Sequence, residues 1–393
     1  STQRNVCNAT MAVRAQLGTL WWFDPLGTME KPSGAKELHW TPLRRAKTWD
    51  GARAAAESML AASRLADSTH QDPFWTESAK QLLAPMLYSA AISLRSIGDV
   101  RGWLARRSAK AAISQLEEAL NQVMEFEPDD LSAREVQMAL DDLRGIDSSP
   151  DKERGSVYSV ARVLLEGYNS VTAQNQSMVS NFDADLFCRS SDTIYISVPS
   201  HVQELAAPLV AGLLDEIRQA AFMRAATARN HEEVFSRTML WALDEVANIA
   251  PLEKLPSVVS EAGGQGPQVV ACFQDLSQAR ARWGQVADGF LSLFPTRILL
   301  SGMADRSTLE AFSILTGDTE RSYTSETYTS GKSGGEYGSW HKSTSTQTST
   351  RREAQVTPGE MASRPFGEAI VSTRGSWISV RLTPNFSSWP WVQ

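Results

Sequence analysis

Apolar positions along this chain follow two different spacings, and each spacing predicts its own kind of element. From Thr48 to about Gly145, apolar residues recur at helical spacing with no strand-like run between them, which predicts an all-helical region. Elsewhere, short continuous apolar runs alternate with segments of helix length. Such alternation is typical of buried parallel strands joined by helices. The pattern therefore predicts an α/β fold that contains an all-α insertion.

Short apolar runs that end in a polar residue predict the strands of a mostly parallel sheet. In chain order they are Leu20–Phe23, Thr193–Val198, Thr238–Leu243, Gln268–Phe273 and Arg297–Leu300. The carboxyl ends of parallel strands meet at one edge of a sheet, and ligands of open α/β sheets bind at that edge. We therefore expect one functional edge, with Asp24 at the end of the first run.

The same pattern divides the chain into five segments. Residues 1–50 are expected to begin the α/β domain, 51–150 to form the all-α insertion, and 151–320 to complete most of the sheet. Residues 321–355 are rich in Ser, Thr and Gly without apolar periodicity, which predicts a flexible linker. Residues 356–393 contain strand-like pieces that we expect to close the α/β domain.

The charge balance argues against broad contact with nucleic acid. Lys and Arg number 38 against 45 for Asp and Glu, a net charge of −7, so any DNA contact requires a local basic patch. The densest basic cluster is Arg101, Arg106, Arg107 and Lys110, with Trp103 between them. Basic and aromatic side chains together suit single-stranded nucleic acid. A solvated helix face with Trp103 in the core is the preferred interpretation.

Cysteine and histidine positions exclude several classes of site. The cysteines, Cys7, Cys188 and Cys272, form no CxxC pair, so neither a disulfide framework nor a zinc ribbon is indicated. The histidines show no metal-binding spacing, and no GxSxG motif occurs. The sequence also contains no signal peptide and no apolar run of about 18 residues, so it predicts no membrane segment.

The strongest chemical signal is the run Met239–Glu245, where apolar residues precede Asp-Glu. This is the Walker B pattern of P-loop ATPases, in which Asp244 would hold Mg²⁺, usually through water, and Glu245 would take a proton from the attacking water. Gln274 ends the next predicted strand, where it could hydrogen-bond the γ-phosphate. The alternative is two ordinary strand ends, one acidic for solubility. The two signals together are more specific than either alone.

Around these residues the sequence resembles the TraG/TraD-type coupling proteins of conjugation and type IV secretion, which are related to the FtsK/HerA translocases. Leu243 to Gly284 is similar throughout to their Walker B-to-sensor block. Further segments are similar to the family in the same order, namely Asn5–Thr28, Asp72–Leu87, Asp192–Glu216, Ser301–Gly317 and Val356–Gly375. Nearly the whole chain is covered apart from the predicted linker.

The resemblance implies a RecA-like, mostly parallel sheet flanked by helices, and a hexameric motor that uses ATP and Mg²⁺. Asp244, Glu245 and Gln274 would then act as described above. The implied activity is movement of single-stranded DNA or a relaxase–DNA complex to a type IV secretion channel. The all-α insertion would be the surface that receives this cargo. The implied location is the cytoplasmic part of a protein associated with the inner or plasma membrane.

The phosphate-binding Walker A motif of the family has no counterpart in this sequence. Gly331-Lys332-Ser333 is the only similar tripeptide, but Glu326 occupies the position of the earlier glycine. We expect the Walker A motif and any membrane anchor to lie upstream of Ser1. The chain by itself is therefore expected to be inactive as an ATPase.

The family's arginine between the Walker B helix and the sensor strand is also replaced. This chain has Gly263-Gly264-Gln265-Gly266 there, which puts the usual arginine finger in doubt. Arg280 and Arg282 are nearby alternatives, although helix-surface charges are the preferred interpretation. Two other functions stay open: a recruitment platform without hydrolysis, and an FtsK-type translocase of double-stranded DNA.

Overall fold

The computed structural model describes residues 4–63, 73–126, 131–230, 239–244, 246–249, 255–265, 267–332 and 340–383. The chain divides into two compact units. The first comprises residues 1–274 and 278–286, and the second comprises 275–277 and 287–393. Each unit contains both helices and strands, which confirms the predicted α/β class.

Helices dominate the part of the chain before residue 287. In chain order they are α1 (Asn5–Arg14), α2 (Trp49–Ala61), α3 (Pro73–Ile92), α4 (Ile97–Ala105), α5 (Lys110–Phe126), α6 (Leu131–Asp147), α7 (Asp151–Leu164), α8 (Val171–Gln176), α9 (Ala184–Arg189), α10 (Gln203–Asn230), α11 (Val246–Ile249), α12 (Leu255–Gln265) and α13 (Leu276–Trp283). Short 3₁₀ segments lie among them, the longest at Pro42–Lys47 and Gly284–Gly289.

The strands of the first unit form two parallel sheets. The strands are β1 (Leu20–Phe23), β2 (Lys36–Glu37), β3 (Thr193–Ile196), β4 (Leu240–Leu243) and β5 (Gln268–Ala271). One sheet has the order β2-β1-β3, and the other pairs β4 with β5. The apolar runs thus became strands with the predicted parallel pairing. Among the described residues they lie in two sheets, whereas one sheet was expected.

Among the described residues of the first unit, the two largest hydrophobic cores organise the helices and sheets. The larger core joins α2 to α7 and contains fully buried Leu82, Met86 and Tyr158. It includes buried residues from Leu43 to Ala173 and also Leu209 of α10, so helical packing continues past the boundary expected at residue 150. The other core packs α10 against both parallel sheets. The long helix α10 is apolar along the face that meets these strands, which explains how it supports them.

A half-buried ionic cluster ties α10 to the 3₁₀ segment Pro42–Lys47. Arg45 Nη1 lies 2.6 Å from Asp215 Oδ2, and Arg218 Nη2 lies 2.6 Å from Asp215 Oδ1. Burial by itself raises the pKa of Asp215, but the positive charges of Arg218 and Arg45 outweigh it and leave the pKa lowered. Next to this cluster, burial raises the pKa of Glu216, which accepts a 2.7 Å hydrogen bond from Trp40 Nε1.

The second unit contains a small antiparallel sheet and a long ribbon. Its elements are α14 (Phe290–Leu293), β6 (Thr296–Leu300), α15 (Arg306–Leu315), β7 (Asp318–Lys332), β8 (Trp340–Ala354), α16 (Pro358–Ala362), β9 (Glu368–Thr373) and β10 (Ser376–Arg381). The sheet order is β10-β9-β6, with both pairings antiparallel. The run Arg297–Leu300 is therefore a strand, as predicted, but it does not extend a parallel sheet.

The flexible linker predicted for residues 321–355 is wrong. Residues 318–332 and 340–354 form a two-stranded antiparallel ribbon in continuous register, from Asp318 opposite Ala354 to Lys332 opposite Trp340. Thr and Tyr favour extended backbone, because branched and aromatic side chains fit a pleated surface. They recur throughout this segment, for which the content of Ser, Thr and Gly had predicted a linker.

Candidate functional site

The predicted site lies at the carboxyl edge of the parallel pair β4 and β5. Leu243, the last residue of β4, is opposite Ala271, the last residue of β5. Asp244 follows Leu243 directly, and Gln274 follows the end of β5 by three positions. Both side chains are exposed. The structure therefore places Asp244 and Gln274 at the same edge of the same sheet, as the alternation of strands and helices predicted.

Backbone pairing continues past the strand ends and holds Asp244 beside Cys272. The N–H of Cys272 donates to the carbonyl of Leu243 at 2.9 Å, and the N–H of Val246 donates to the carbonyl of Cys272 at 3.4 Å. The pKa of the Cys272 thiol is raised, first by loss of solvent around it and then by the negative charge of Asp244. The Cys272 thiol is thus a neighbour of Asp244, the predicted Mg²⁺ ligand. The sequence did not indicate this proximity.

The proximity of Asp244 to Cys272 predicts a change in thiol chemistry. Because Asp244→Asn removes a negative charge, we expect a lower pKa for Cys272 and about threefold faster alkylation by iodoacetamide near pH 8. Cys7 and Cys188 are buried, so they should react slowly in both proteins. Peptide mass spectrometry after timed alkylation measures the rate at each thiol. Asp141→Asn on α6 is the control, and an equal acceleration there would contradict the assignment.

Gln274 begins the turn that leads from β5 into α13. Its backbone N–H donates to Oε1 of Gln278 at 3.3 Å, a contact four residues ahead that closes the turn. The exposed Gln274 side chain is thus carried on an anchored backbone. An amide can donate to a phosphate oxygen, so its position is suited to the predicted contact with a γ-phosphate.

The structure describes some of the other residues considered for the ATPase site and leaves others out. Glu245, the predicted general base, lies outside the described residues, as does Gly266 of the segment where the family has an arginine. Arg282 donates from Nη2 to the carbonyl of Ala61 at 2.6 Å, which satisfies a carbonyl at the end of α2. That contact favours a structural role for Arg282. Arg280 is exposed on the same helix.

The tripeptide Gly331-Lys332-Ser333 does not have the setting of a phosphate-binding loop. Gly331 and Lys332 are the last residues of β7, where they pair antiparallel with His341 and Trp340. Ser333 lies outside the described residues. A phosphate-binding loop instead joins a strand to the start of a helix. The structure therefore gives no support to a Walker A role for this tripeptide.

Asp24 also ends a parallel strand, but its carboxylate is already occupied. The side chain is buried and accepts backbone hydrogen bonds from Leu26 at 3.2 Å and Met29 at 2.6 Å. The hydroxyl of Thr28 lies 3.3 Å from both carboxylate oxygens. Asp24 therefore organises the loop after β1, a role that sequence spacing did not reveal.

The structure of the basic cluster in the helical region favours a solvated helix face over a nucleic-acid site. Trp103 is only 4% exposed and belongs to the larger hydrophobic core, so its ring cannot stack on a base. Arg101 Nε donates to Asn169 Oδ1 at 2.6 Å. Arg107 contacts Ser159 more weakly, at 3.5 Å. The preferred interpretation, a solvated helix face over a buried tryptophan, is therefore confirmed for Trp103.

Two further features were searched for in the described part of the chain. No group of three or more His, Cys, Asp and Glu side chains there is arranged to hold a metal ion. Nor does any helix within the described ranges have both the length and the apolar content needed to cross a membrane.

Part of the chain, including this sheet edge, is similar to known proteins. Residues 238–365 match the family model described as the TraM recognition site of TraD and TraG. The unbound form of the bacterial conjugative coupling protein TrwBdeltaN70 has a similar structure, with a TM-score of 0.60 at 16% identity. That likeness covers 93% of this chain and 73% of the other. The resemblance to TraG/TraD-type coupling proteins is confirmed.

Other coupling protein structures have a similar fold. A trigonal form of TrwBdeltaN70 with sulphate gives a TM-score of 0.62 at 15% identity, covering 97% of this chain and 80% of that one. Plasmid coupling protein TrwB in complex with ADP and Mg²⁺ gives 0.61 at 16% identity, covering 93% and 74%. At these identities the likeness shows the fold. Comparison with curated protein sequences gave no significant match.

Proposed function

We propose that this chain is the motor portion of a conjugative DNA-transfer coupling protein. It would move single-stranded DNA or a relaxase–DNA complex toward a type IV secretion channel, as a ring subunit in a homo-hexamer. The proposed location is the cytoplasmic side of the inner or plasma membrane. One observation carries the proposal: within the segment that matches the family, Asp244 and Gln274 lie at one edge of a parallel strand pair.

The chemistry proposed for this edge divides among three residues. Asp244 would hold Mg²⁺ through water, because an exposed carboxylate at a strand end is a suitable oxygen ligand. Gln274 would donate to the terminal phosphate of ATP. Glu245 would accept the proton of the attacking water. The same fold occurs in TrwB structures with ADP and Mg²⁺ and with a non-hydrolysable ATP analogue, which supports nucleotide as the ligand.

The proposal is tested by nucleotide binding to the natural full-length protein. In the Asp244→Asn variant, we expect the affinity for ADP in the presence of Mg²⁺ to fall by about 10- to 100-fold. The reason is that outer-shell carboxylates orient the hydrated ion. Binding without Mg²⁺ should stay unchanged. Titration calorimetry with and without Mg²⁺ measures both affinities. Asp141→Asn on α6 is the matched control, since it alters an exposed carboxylate far along the chain. Equal Mg²⁺ dependence in both variants would overturn the role of Asp244.

A second function is favoured by the description of the matching family model. Because residues 238–365 match a TraM recognition site, this segment would bind a TraM-like partner and recruit cargo. Such recruitment requires no hydrolysis. If a TraM-like protein binds equally well to wild type and to the Glu245→Gln variant, recruitment is independent of the ATPase chemistry. Loss of binding in that variant would instead couple the two functions.

A further inference from the structure

Within the described part of the chain, β7 and β8 pair only with each other, so each strand of this ribbon has one edge without a neighbouring strand. Each strand has 15 residues, so the ribbon is about 50 Å long. Two-stranded ribbons of this kind are marginal in water on their own, whereas three or more strands are stable. Its described side chains are exposed almost throughout. The ribbon therefore has strand edges that a further strand could pair with.

The register shows which residues direct their backbone groups outward. The N–H of Gln355 donates to the carbonyl of Gly317 at 2.8 Å, one position before the pair Asp318 and Ala354. Hydrogen-bonded and non-hydrogen-bonded pairs alternate along an antiparallel ladder. Odd-numbered residues therefore bond within the ribbon. Even-numbered residues direct their N–H and C=O groups to the free edge.

The two edges differ in how they are protected from added strands. Opposite residues 343–350 of β8, the outward positions of β7 include Glu326, and a charge on an edge strand discourages pairing. The corresponding run of β8, residues 343–350, reads Ser-Thr-Ser-Thr-Gln-Thr-Ser-Thr and contains no charge, proline or glycine. Its outward positions are all threonine. Between the outward residues Lys342 and Arg352, the edge of β8 is thus an uncharged, β-branched stretch without the usual protection.

The β8 run is also nearly palindromic about Gln347. Reading outward from Gln347 in both directions gives threonine, serine and threonine, so the strand matches its own reverse. An antiparallel copy centred there would pair Thr346 with Thr348 and Thr344 with Thr350 of the second copy. Thr–Thr pairs across strands are favourable, and the outward backbone groups would form about eight hydrogen bonds.

We propose that the β8 edge pairs with the β8 edge of a second copy of this chain, in a two-fold arrangement centred on Gln347. The result is a four-stranded antiparallel sheet. Pairing would stop where Arg352 meets Lys342 of the second copy, because like charges oppose each other there. Arg352 lies 3.1 Å from Asp318 in its own chain. A two-fold contact cannot close a ring by itself, so it is separate from any head-to-tail ring contact.

Disulfide formation tests the contact and its centre. With Cys272→Ser as background, Gln347→Cys would face its own copy at about 4.5 Å between Cα atoms, within reach of a disulfide. Ser345→Cys is the matched control on the same ribbon face, but its own copy would lie about 13 Å along the strand. After mild oxidation we expect at least about tenfold more cross-linked dimer for Gln347→Cys. Equal yields from both, or no dimer from either, would overturn the proposal.

Proline substitutions identify the edge that pairs. Thr346→Pro removes an outward N–H from β8 without breaking a bond inside the ribbon, so it should abolish the Gln347→Cys cross-link. Thr324→Pro makes the same change on the opposite edge, and the cross-link should persist. If Thr324→Pro abolishes it equally, β8 is not the pairing edge.

Discussion

Replacing Glu245 by glutamine is expected to lower ATP turnover of the natural full-length protein by about 10²- to 10⁴-fold, the usual contribution of a positioned general base. Glutamine keeps the size of the side chain but cannot accept the proton of the attacking water. Nucleotide binding should be retained, because Asp244 and Gln274 remain in place. Steady-state phosphate release measures turnover, and calorimetry measures binding.

Asp141→Asn is the control for this experiment too, because it changes an exposed carboxylate on α6 without touching the sheet edge. Turnover in that variant should stay near the wild-type value. If Glu245→Gln hydrolyses ATP at the wild-type rate, Glu245 is not the base. If it loses nucleotide binding as well, the substitution has disturbed the site and Glu245 is not assigned by this measurement.

The strands of the site were predictable because their signal is local. The runs that became β4 and β5 are short, apolar and ended by polar residues, and the segment between them has helix length. Parallel pairing follows from that order, and it places Asp244 and Gln274 at one edge. The hydrogen-bond partners of Asp24 were not predictable. Two of them are backbone N–H groups, which occur in nearly every residue and therefore leave no pattern in the sequence.

The errors arose where composition was used in place of spacing. The ribbon was predicted to be a linker from its content of Ser, Thr and Gly, although threonine at every second position from 344 to 350 is a strand period. The direction of β6 depends on β9, which follows it by about seventy residues and pairs with it antiparallel. An apolar run indicates a strand that is buried in a sheet, but it does not indicate whether the neighbouring strand is parallel or antiparallel.

The ionic cluster around Asp215 was also missed, because its members lie far apart in the sequence. Replacing Asp215 by asparagine is expected to reduce the free energy of unfolding at pH 7 by about 3–5 kcal/mol, since Arg45 and Arg218 would both lose the carboxylate that they bond. The side chains of Arg45, Asp215 and Arg218 are 12%, 14% and 17% exposed, so solvent screens them little. Urea unfolding followed by tryptophan fluorescence measures the loss.

Asp151→Asn is the matched control, because Asp151 also pairs with an arginine but is 92% exposed. Its effect should stay within about 0.5 kcal/mol, as for other surface pairs. The pKa of Asp215 is lowered in the folded state, so its stabilising contribution is complete above the unfolded pKa near 4 and is lost as the pH falls through the folded value. The difference between wild type and Asp215→Asn should therefore shrink below about pH 4. Equal losses in the two variants at pH 7 would show that the half-buried cluster adds no more than a surface pair.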